Sequence, residues 1–191
     1  MNEAEILRYI GARDRNSNAN IGDKLRDMIR ECLAITESKL TYKVSFCELE
    51  VSVGESLRLA DMTICSKDLA KNLSGCKSAF VFAATVGIEI DRLIARYSAT
   101  SPAKALIFDG IGAERIESLC NVFCAEMAQI KAREACFLRP RFSAGYGDFP
   151  IEAQKDIFRL LDCPKNLGVT LLDSMLMSPT KSVTAIMGVY R

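Results

Sequence analysis

The chain has 191 residues and 21.1 kDa, with 25 Lys plus Arg against 24 Asp plus Glu, 49% hydrophobic residues and no histidine. This composition is that of a globular protein and excludes wholesale disorder or a collagen-like chain, while a net charge of +1 without a basic patch argues against nucleic acid as the main partner. The missing histidine removes Ser-His-Asp and Cys-His catalysis, the commonest proton shuttle and the usual zinc ligand together, so any chemistry here leans on a bound cofactor or a partner.

The opening Met1-Asn2-Glu3-Ala4-Glu5 is acidic and lacks the basic-then-apolar run of an export signal. No uncharged apolar stretch approaches the ~18 residues of a membrane span. Residues 3–10 read as a short helix ended at Gly11, residues 14–20 as a turn, and residues 21–40 as a helix with Leu25, Met28, Ile29, Cys32, Leu33 and Ile35 at helical spacing. Over 42–53 the pattern changes to alternation, giving a strand or hairpin punctuated by Gly54, and Leu57, Leu59 and residues 62–65 continue as extended chain. Ser66 suits the N-cap of a helix over 67–73 that stops at Ser74-Gly75. Residues 79–85 are wholly apolar, as a strand buried on both faces requires, and turn at Val86-Gly87 into a helix over 88–97.

Ser101-Pro102 is a strong helix start, opening a long helix that runs to Ala132. Residues 136–142 read as extended, 143–149 as a glycine-containing loop, and 150–161 as a helix beginning at Pro150. Residues 171–177 and 182–190 read as two strands joined at 178–181. Strands and helices mix without regular βαβ alternation, so the expectation is a single α+β domain over 1–191 with a mainly antiparallel twisted sheet flanked by helices.

Three features stand out chemically. The long helix is apolar nearly all round between Ala105 and Ala125, hence buried, yet Asp109, Ala113, Glu117 and Asn121 fall along one line with Gly110 and Gly112 beside it. A buried carboxylate needs partners, and a mid-helix glycine costs about 1 kcal/mol relative to alanine. Either two helices touch closely and an ion pair is structural, or Glu117 lines a cleft that receives a cationic ligand group. The second feature is Arg141-Phe142-Ser143-Ala144-Gly145-Tyr146-Gly147. Its guanidinium fork fits a carboxylate or phosphate, glycine lets a ligand approach bare amides, and tyrosine adds a flat face with a polar tip; an ordinary turn accounts for the same residues. The third is the eight cysteines (Cys32, Cys47, Cys65, Cys76, Cys120, Cys124, Cys136, Cys163). Without an export signal they read as reduced, mostly buried thiols of a cytoplasmic protein. Cys120-x3-Cys124 begins an iron–sulfur signature, but Met127 stands where its third cysteine belongs, so no metal is expected.

Arg141-x-x-x-Gly145-Tyr146, the helix after it, and Leu167-Gly168-Val169-x-Leu171-x-Asp173-Ser174-x-x-Met177-x-Pro179-x-x-Ser182-Val183 resemble, at consistent spacing, the activation domain of cobalamin-dependent methionine synthase. Upstream, residues 5–11, Thr85-Val86-Gly87 and Asp109-Gly110-Ile111-Gly112 resemble short free-standing versions of that domain. The resemblance implies a domain that binds S-adenosylmethionine beside a corrin and presents its methyl group to cobalt while a flavodoxin-type or other one-electron donor supplies the electron. By that similarity Arg141 would take the ligand carboxylate, Glu117 its ammonium, and Ser143, Gly145 and Tyr146 would supply loop contacts. No catalytic residue and no metal ligand follow for this chain itself. Its cobalamin would be carried by a partner, a cobalamin-dependent methionine synthase lacking its own activation domain, and it would act in trans, without membrane or nucleic acid.

The departures are specific. Ala144 and Gly147 stand where the family has prolines, which predicts a looser loop, and an acidic ligand contact near the family domain's start has no counterpart assigned. The competing functions are a non-catalytic S-adenosylmethionine-binding or corrinoid-capping module of another corrinoid methyltransferase system, and an α+β interaction protein that keeps only the fold. Arg141, Gly145, Tyr146 and Glu117 together weigh against the last.

Overall fold

The structure, a computed structural model, describes residues 3–12, 23–53 and 57–191. The expected turn at 14–20, the first residues of the second helix and Gly54 lie outside the described residues. The elements in chain order are α1 (Glu3–Tyr9), α2 (Asp23–Glu37), β1 (Lys43–Val53), β2 (Leu57–Leu59), β3 (Met62–Ile64), α3 (Lys67–Asn72), β4 (Ser78–Thr85), α4 (Glu89–Ser98), α5 (Pro102–Ala132), β5 (Phe137–Leu138), α6 (Gln154–Leu161), α7 (Cys163–Leu167), β6 (Thr170–Leu171), β7 (Met177–Ser178) and β8 (Ser182–Tyr190).

Six strands form one sheet in the order β3-β2-β1-β4-β8-β5, with antiparallel neighbours throughout. The apolar run of β4 lies in its interior, and its alternate residues serve two cores. Phe80, Phe82 and Ala84 pack under α1, α2, α4 and α5 on one face. Ala79, Val81 and Ala83 pack under α3, α6 and α7 on the other. A strand buried on both sides has no polar face to show, which is why its sequence lacks alternation. The α+β class with an antiparallel sheet flanked by helices is what the residues predicted.

The two glycines of α5 serve helix packing. A Cβ at Gly110 would come within 2.6 Å of Ile10 Cγ2, and one at Gly112 within 2.8 Å of Ile90 Cγ2 and 2.9 Å of Lys181 Cγ. The close-contact half of the sequence expectation therefore holds, with α1 and α4 as the helices that touch.

Several details differ from the sequence reading. Ser101 makes no side-chain cap bond, and Pro102 alone marks the start of α5. Ser66 does cap α3, accepting from the Leu69 amide at 3.0 Å. The expected strand over 171–177 is a hairpin instead: β6 pairs with β7, Thr170 opposite Ser178 and Leu171 opposite Met177, and residues 172–176 form its turn. The apolar residues Leu171, Leu172, Met175, Leu176 and Met177 suit a continuous strand as well as a hairpin, but Met175 takes φ +65° where the chain reverses. The helix at Pro150 begins with a 3-10 turn, Ile151–Ala153, before α6. The short α7, unpredicted, starts after Asp162 at φ +44° and ends at Gly168, φ +71°.

Candidate functional site

β8 pairs with β4 along its length, but β5 covers only Val189 and Tyr190, and Phe142 bridges Ile186. Beyond that bridge the edge of β8 is open. A cavity of about 390 Å³ lies there between the two helical layers, lined by Glu117 of α5, the loop residues Arg141, Ser143 and Tyr146, Gln154 of α6 and Met177 of β7, among others. Of the residues singled out from sequence, the fold thus brings Glu117 of α5 together with Arg141, Ser143 and Tyr146 of one loop.

Gly145 is placed differently. It does not line the cavity, and its amide, expected to be bare, donates to the Phe149 carbonyl at 2.8 Å. The Tyr146 amide donates to Ser143 O at 3.2 Å and the Phe149 amide to Tyr146 O at 2.9 Å, closing the loop on itself. With φ +91° and a Cβ position 3.0 Å from Ile151 Cδ1, Gly145 is the residue that lets the chain turn so that Ser143 and Tyr146 face the cavity.

Arg141 Nη2 donates to Glu117 Oε2 at 2.5 Å, with side chains 26% and 42% exposed. Arg141 Nη1 is buried without a partner among the described residues, and so is Oε1 of Gln154. Cys120 and Cys124 lie on the Arg141 side of α5. Burial pushes Cys120 up to about 12 and raises Cys124, with Arg141 pulling both the other way. Both thiols are therefore neutral at pH 7, and the charge that answers Arg141 is Glu117. Burial likewise pushes Cys32 and Cys163 up to about 11. Among the described residues no group of three or more His, Cys, Asp and Glu is arranged to hold a metal ion.

Asp109 has a separate role. It pairs with Lys181 at 2.7 Å, and the Lys181 stem crosses α5 over Gly112. Asp91 of α4 accepts from the Thr180 amide at 3.2 Å and from the Thr180 hydroxyl. Two carboxylates thus hold the turn before β8, so that the line Asp109–Glu117 divides into an end paired with Lys181 and an end facing the cavity. Beyond Glu117 a smaller cavity of about 230 Å³ is shared with Glu5, Arg8, Tyr9, Glu114, Ser118 and Asn121. Here α1 brings an acidic residue, Glu5, beside Glu117 from the chain's start, where the sequence offered no assignment.

Sequence reasoning missed Gln154, Asp148 and Glu114. Glu114 is buried and accepts from Ser118 Oγ at 2.9 Å and Arg115 Nη2 at 2.5 Å. Gln154 shares a buried stripe with Ile157, Phe158 and Leu161; one polar residue in an i, i+3, i+4, i+7 apolar pattern was a usable signal. Asp148 fastens the loop. Its carboxylate accepts from Ser66 Oγ at 2.5 Å, the Lys67 amide at 2.7 Å and the Asp68 amide at 3.1 Å, and its own amide donates to Asp68 at 3.3 Å. Gly147, at φ +53°, lies against the Asp68 carboxylate, a backbone that proline, fixed near −65°, cannot adopt. The loop expected to be loose for want of prolines is anchored to α3 in another way.

The Ser66 hydroxyl and the amides of Lys67 and Asp68 hold the Asp148 carboxyl below its ordinary range. A depressed carboxylate contributes stability that is complete above its unfolded value, near 4, and is lost as pH falls through the lower folded value. We expect Asp148→Ala to remove this acid-limb dependence and to weaken ligand binding several-fold by freeing the loop. Urea midpoints between pH 2 and 6, with a binding titration at pH 7, check both; unchanged acid dependence in the variant would discard the anchor.

No helix among the described residues is long and apolar enough to cross a membrane. No protein-family model matches the chain, and no curated protein matches it. Among solved structures, the crystal structure of the MetH reactivation domain bound to AdoHcy aligns with 96% of this chain and 72% of that one, at a TM-score of 0.74 and 15% sequence identity. The chain therefore has the fold of the MetH reactivation domain.

Proposed function

We propose that the chain binds S-adenosylmethionine in the Glu117–Arg141 cavity and serves in trans as the reactivation component of a cobalamin-dependent methionine synthase that lacks its own activation domain. The observation that carries the reading is the pairing of Glu117 with Arg141 at 2.5 Å on the wall of the 390 Å³ cavity. An α-amino acid presents the same two charges in reverse, so a carboxylate arriving at Arg141 and an ammonium at Glu117 replace one pair by two. The unused Nη1 of Arg141 gives the guanidinium a second donor for bidentate contact. The shared fold supports the same reading, since the MetH domain was crystallised with AdoHcy, the demethylated form of this ligand.

The ligand supplies a sulfonium methyl group for the partner's cobalt, and one electron comes from a flavodoxin-type or similar donor. The chain's own work is positioning and exclusion of water. Arg141 and Glu117 hold the amino-acid end, Ser143 offers a hydroxyl, and Tyr146, 67% exposed, presents a flat face at the rim. Leu172 and Leu176 are exposed on the β6–β7 hairpin, whose Met177 lines the same cavity. Together with Tyr146 these residues supply the apolar surface for docking on a corrin.

The test has two stages. Titration calorimetry with S-adenosylmethionine and S-adenosylhomocysteine should show binding below millimolar. The chain, mixed with a truncated synthase, S-adenosylmethionine and a one-electron donor, should then convert the visible spectrum of inactive cob(II)alamin. Absence of binding removes the whole reading. Binding with a persistent cob(II)alamin spectrum removes the reactivation role for that partner and favours the capping module.

A further inference from the structure

Gln154 is only 5% exposed, opens α6 at the end of its buried stripe, and lines the cavity that holds Arg141 and Glu117. Its Oε1 has no hydrogen-bond partner among the described residues. An unpaired buried acceptor is destabilising, and leucine or methionine would complete the stripe made by Ile157, Phe158 and Leu161 without that cost. Neither core packing nor the loop network accounts for a glutamine here. The two charged groups of the cavity wall are already matched to an amino-acid end, negative Glu117 to an ammonium and positive Arg141 to a carboxylate. A neutral amide suits a neutral partner.

We propose that Gln154 is a ligand-recognition residue whose amide oxygen accepts a hydrogen bond from the nucleoside part of the bound molecule, an exocyclic amine of the base or a ribose hydroxyl. This rests on the reading of the cavity as an S-adenosylmethionine site and adds to it the element that tells a nucleoside conjugate from methionine alone. A site built to accept from a donor rejects the analogue lacking it more strongly than apolar contacts can, because the acceptor is then left buried and unpaired. The amino-acid contacts supply charge matching; Gln154 supplies discrimination.

The experiment compares wild type with Gln154→Met, which keeps the length of the side chain and removes the acceptor. Each is titrated with S-adenosylhomocysteine, its 6-deamino counterpart and its 2′-deoxy and 3′-deoxy counterparts, and the unfolding temperature of each free protein is recorded. We expect about tenfold weaker S-adenosylhomocysteine binding in the variant, equivalent to about 1.4 kcal/mol, with an unfolding temperature no lower than wild type. The wild-type advantage should vanish for one analogue, and that analogue names the donor. An advantage that persists equally with every analogue marks a structural residue and overturns the proposal, as does equal affinity of both proteins for S-adenosylhomocysteine. If the methionine variant does not fold, Gln154→Ala gives the same comparison. A wild type that binds none of the ligands fails the functional reading itself, and so is distinguished from a failure of Gln154 alone.

Discussion

Arg141→Ala is expected to weaken S-adenosylhomocysteine binding by about 1.5–3 kcal/mol, the scale of a charged hydrogen bond, while changing folding stability by no more than about 1 kcal/mol. The two numbers separate the two explanations that the sequence left open for the helix carboxylate. In the free protein Arg141 and Glu117 are 26% and 42% exposed, so water competes for both and the pair adds little to the folded state. In the complex the guanidinium meets a carboxylate inside a cavity, and its loss leaves that carboxylate without its main partner. Calorimetric titration and urea unfolding of the same preparation give both values. A large loss of stability with unchanged affinity would make the pair structural and remove the role given to Arg141. Glu117→Gln should follow in the same direction with a smaller effect, because the more exposed carboxylate leaves the ammonium better access to water.

The fold was legible where a residue pattern had one physical cause. The apolar run of β4 could only be a strand covered on both faces, whereas α5, expected to be buried all round, buries one side and leaves Leu106 51% and Val122 55% exposed. Gly110 and Gly112 announced close contact before any neighbour was known. What the pattern could not show was which contacts they served. Asp109 and Glu117 lie on one line of α5, yet one answers Lys181 and the other Arg141, because β8 and the 141–149 loop reach the helix at different heights. Ordering of this kind comes from tertiary packing, and no local spacing encodes it.

The site was legible as a set of residue types and less so as a geometry. Arginine, glycine and tyrosine in one loop suggested a ligand, but glycine was credited with offering its amide when that amide closes the loop on Phe149. Asp148 carried no local signal, since the amides it accepts from belong to α3, far away in sequence. Gln154 did carry one, a single polar residue in an otherwise apolar stripe. The hairpin at 170–178 was hidden by apolar residues that fit a strand equally well; the pairing of Leu171 with Met177 and the positive φ of Met175 separate the two.

Phe82→Ala should have the largest effect on stability, a loss of about 3–5 kcal/mol, roughly a fifth or more of the total expected for a domain of this kind. Phe82 is fully buried at the middle of β4, opposite Phe46 of β1 and Ala185 of β8. Its ring centroid lies 4.8 Å from that of Phe123 on α5, and Phe46 meets Phe123 at 5.1 Å. The cavity left by alanine would sit between sheet and helix, and the hydrogen-bonded strands on both sides keep β4 from moving to fill it. Urea unfolding should show a lower midpoint at unchanged slope. Phe82 lines neither the Glu117–Arg141 cavity nor its loop, so ligand at a hundred times its Kd should still add about 2.7 kcal/mol, as it should to wild type. A drop below about 1 kcal/mol in the variant would mean that α5 is not seated on the sheet through these aromatic rings. Loss of the ligand increment in the variant alone would mean that this seating also sets the distance from Glu117 to Arg141, since independent sites add and coupled ones do not.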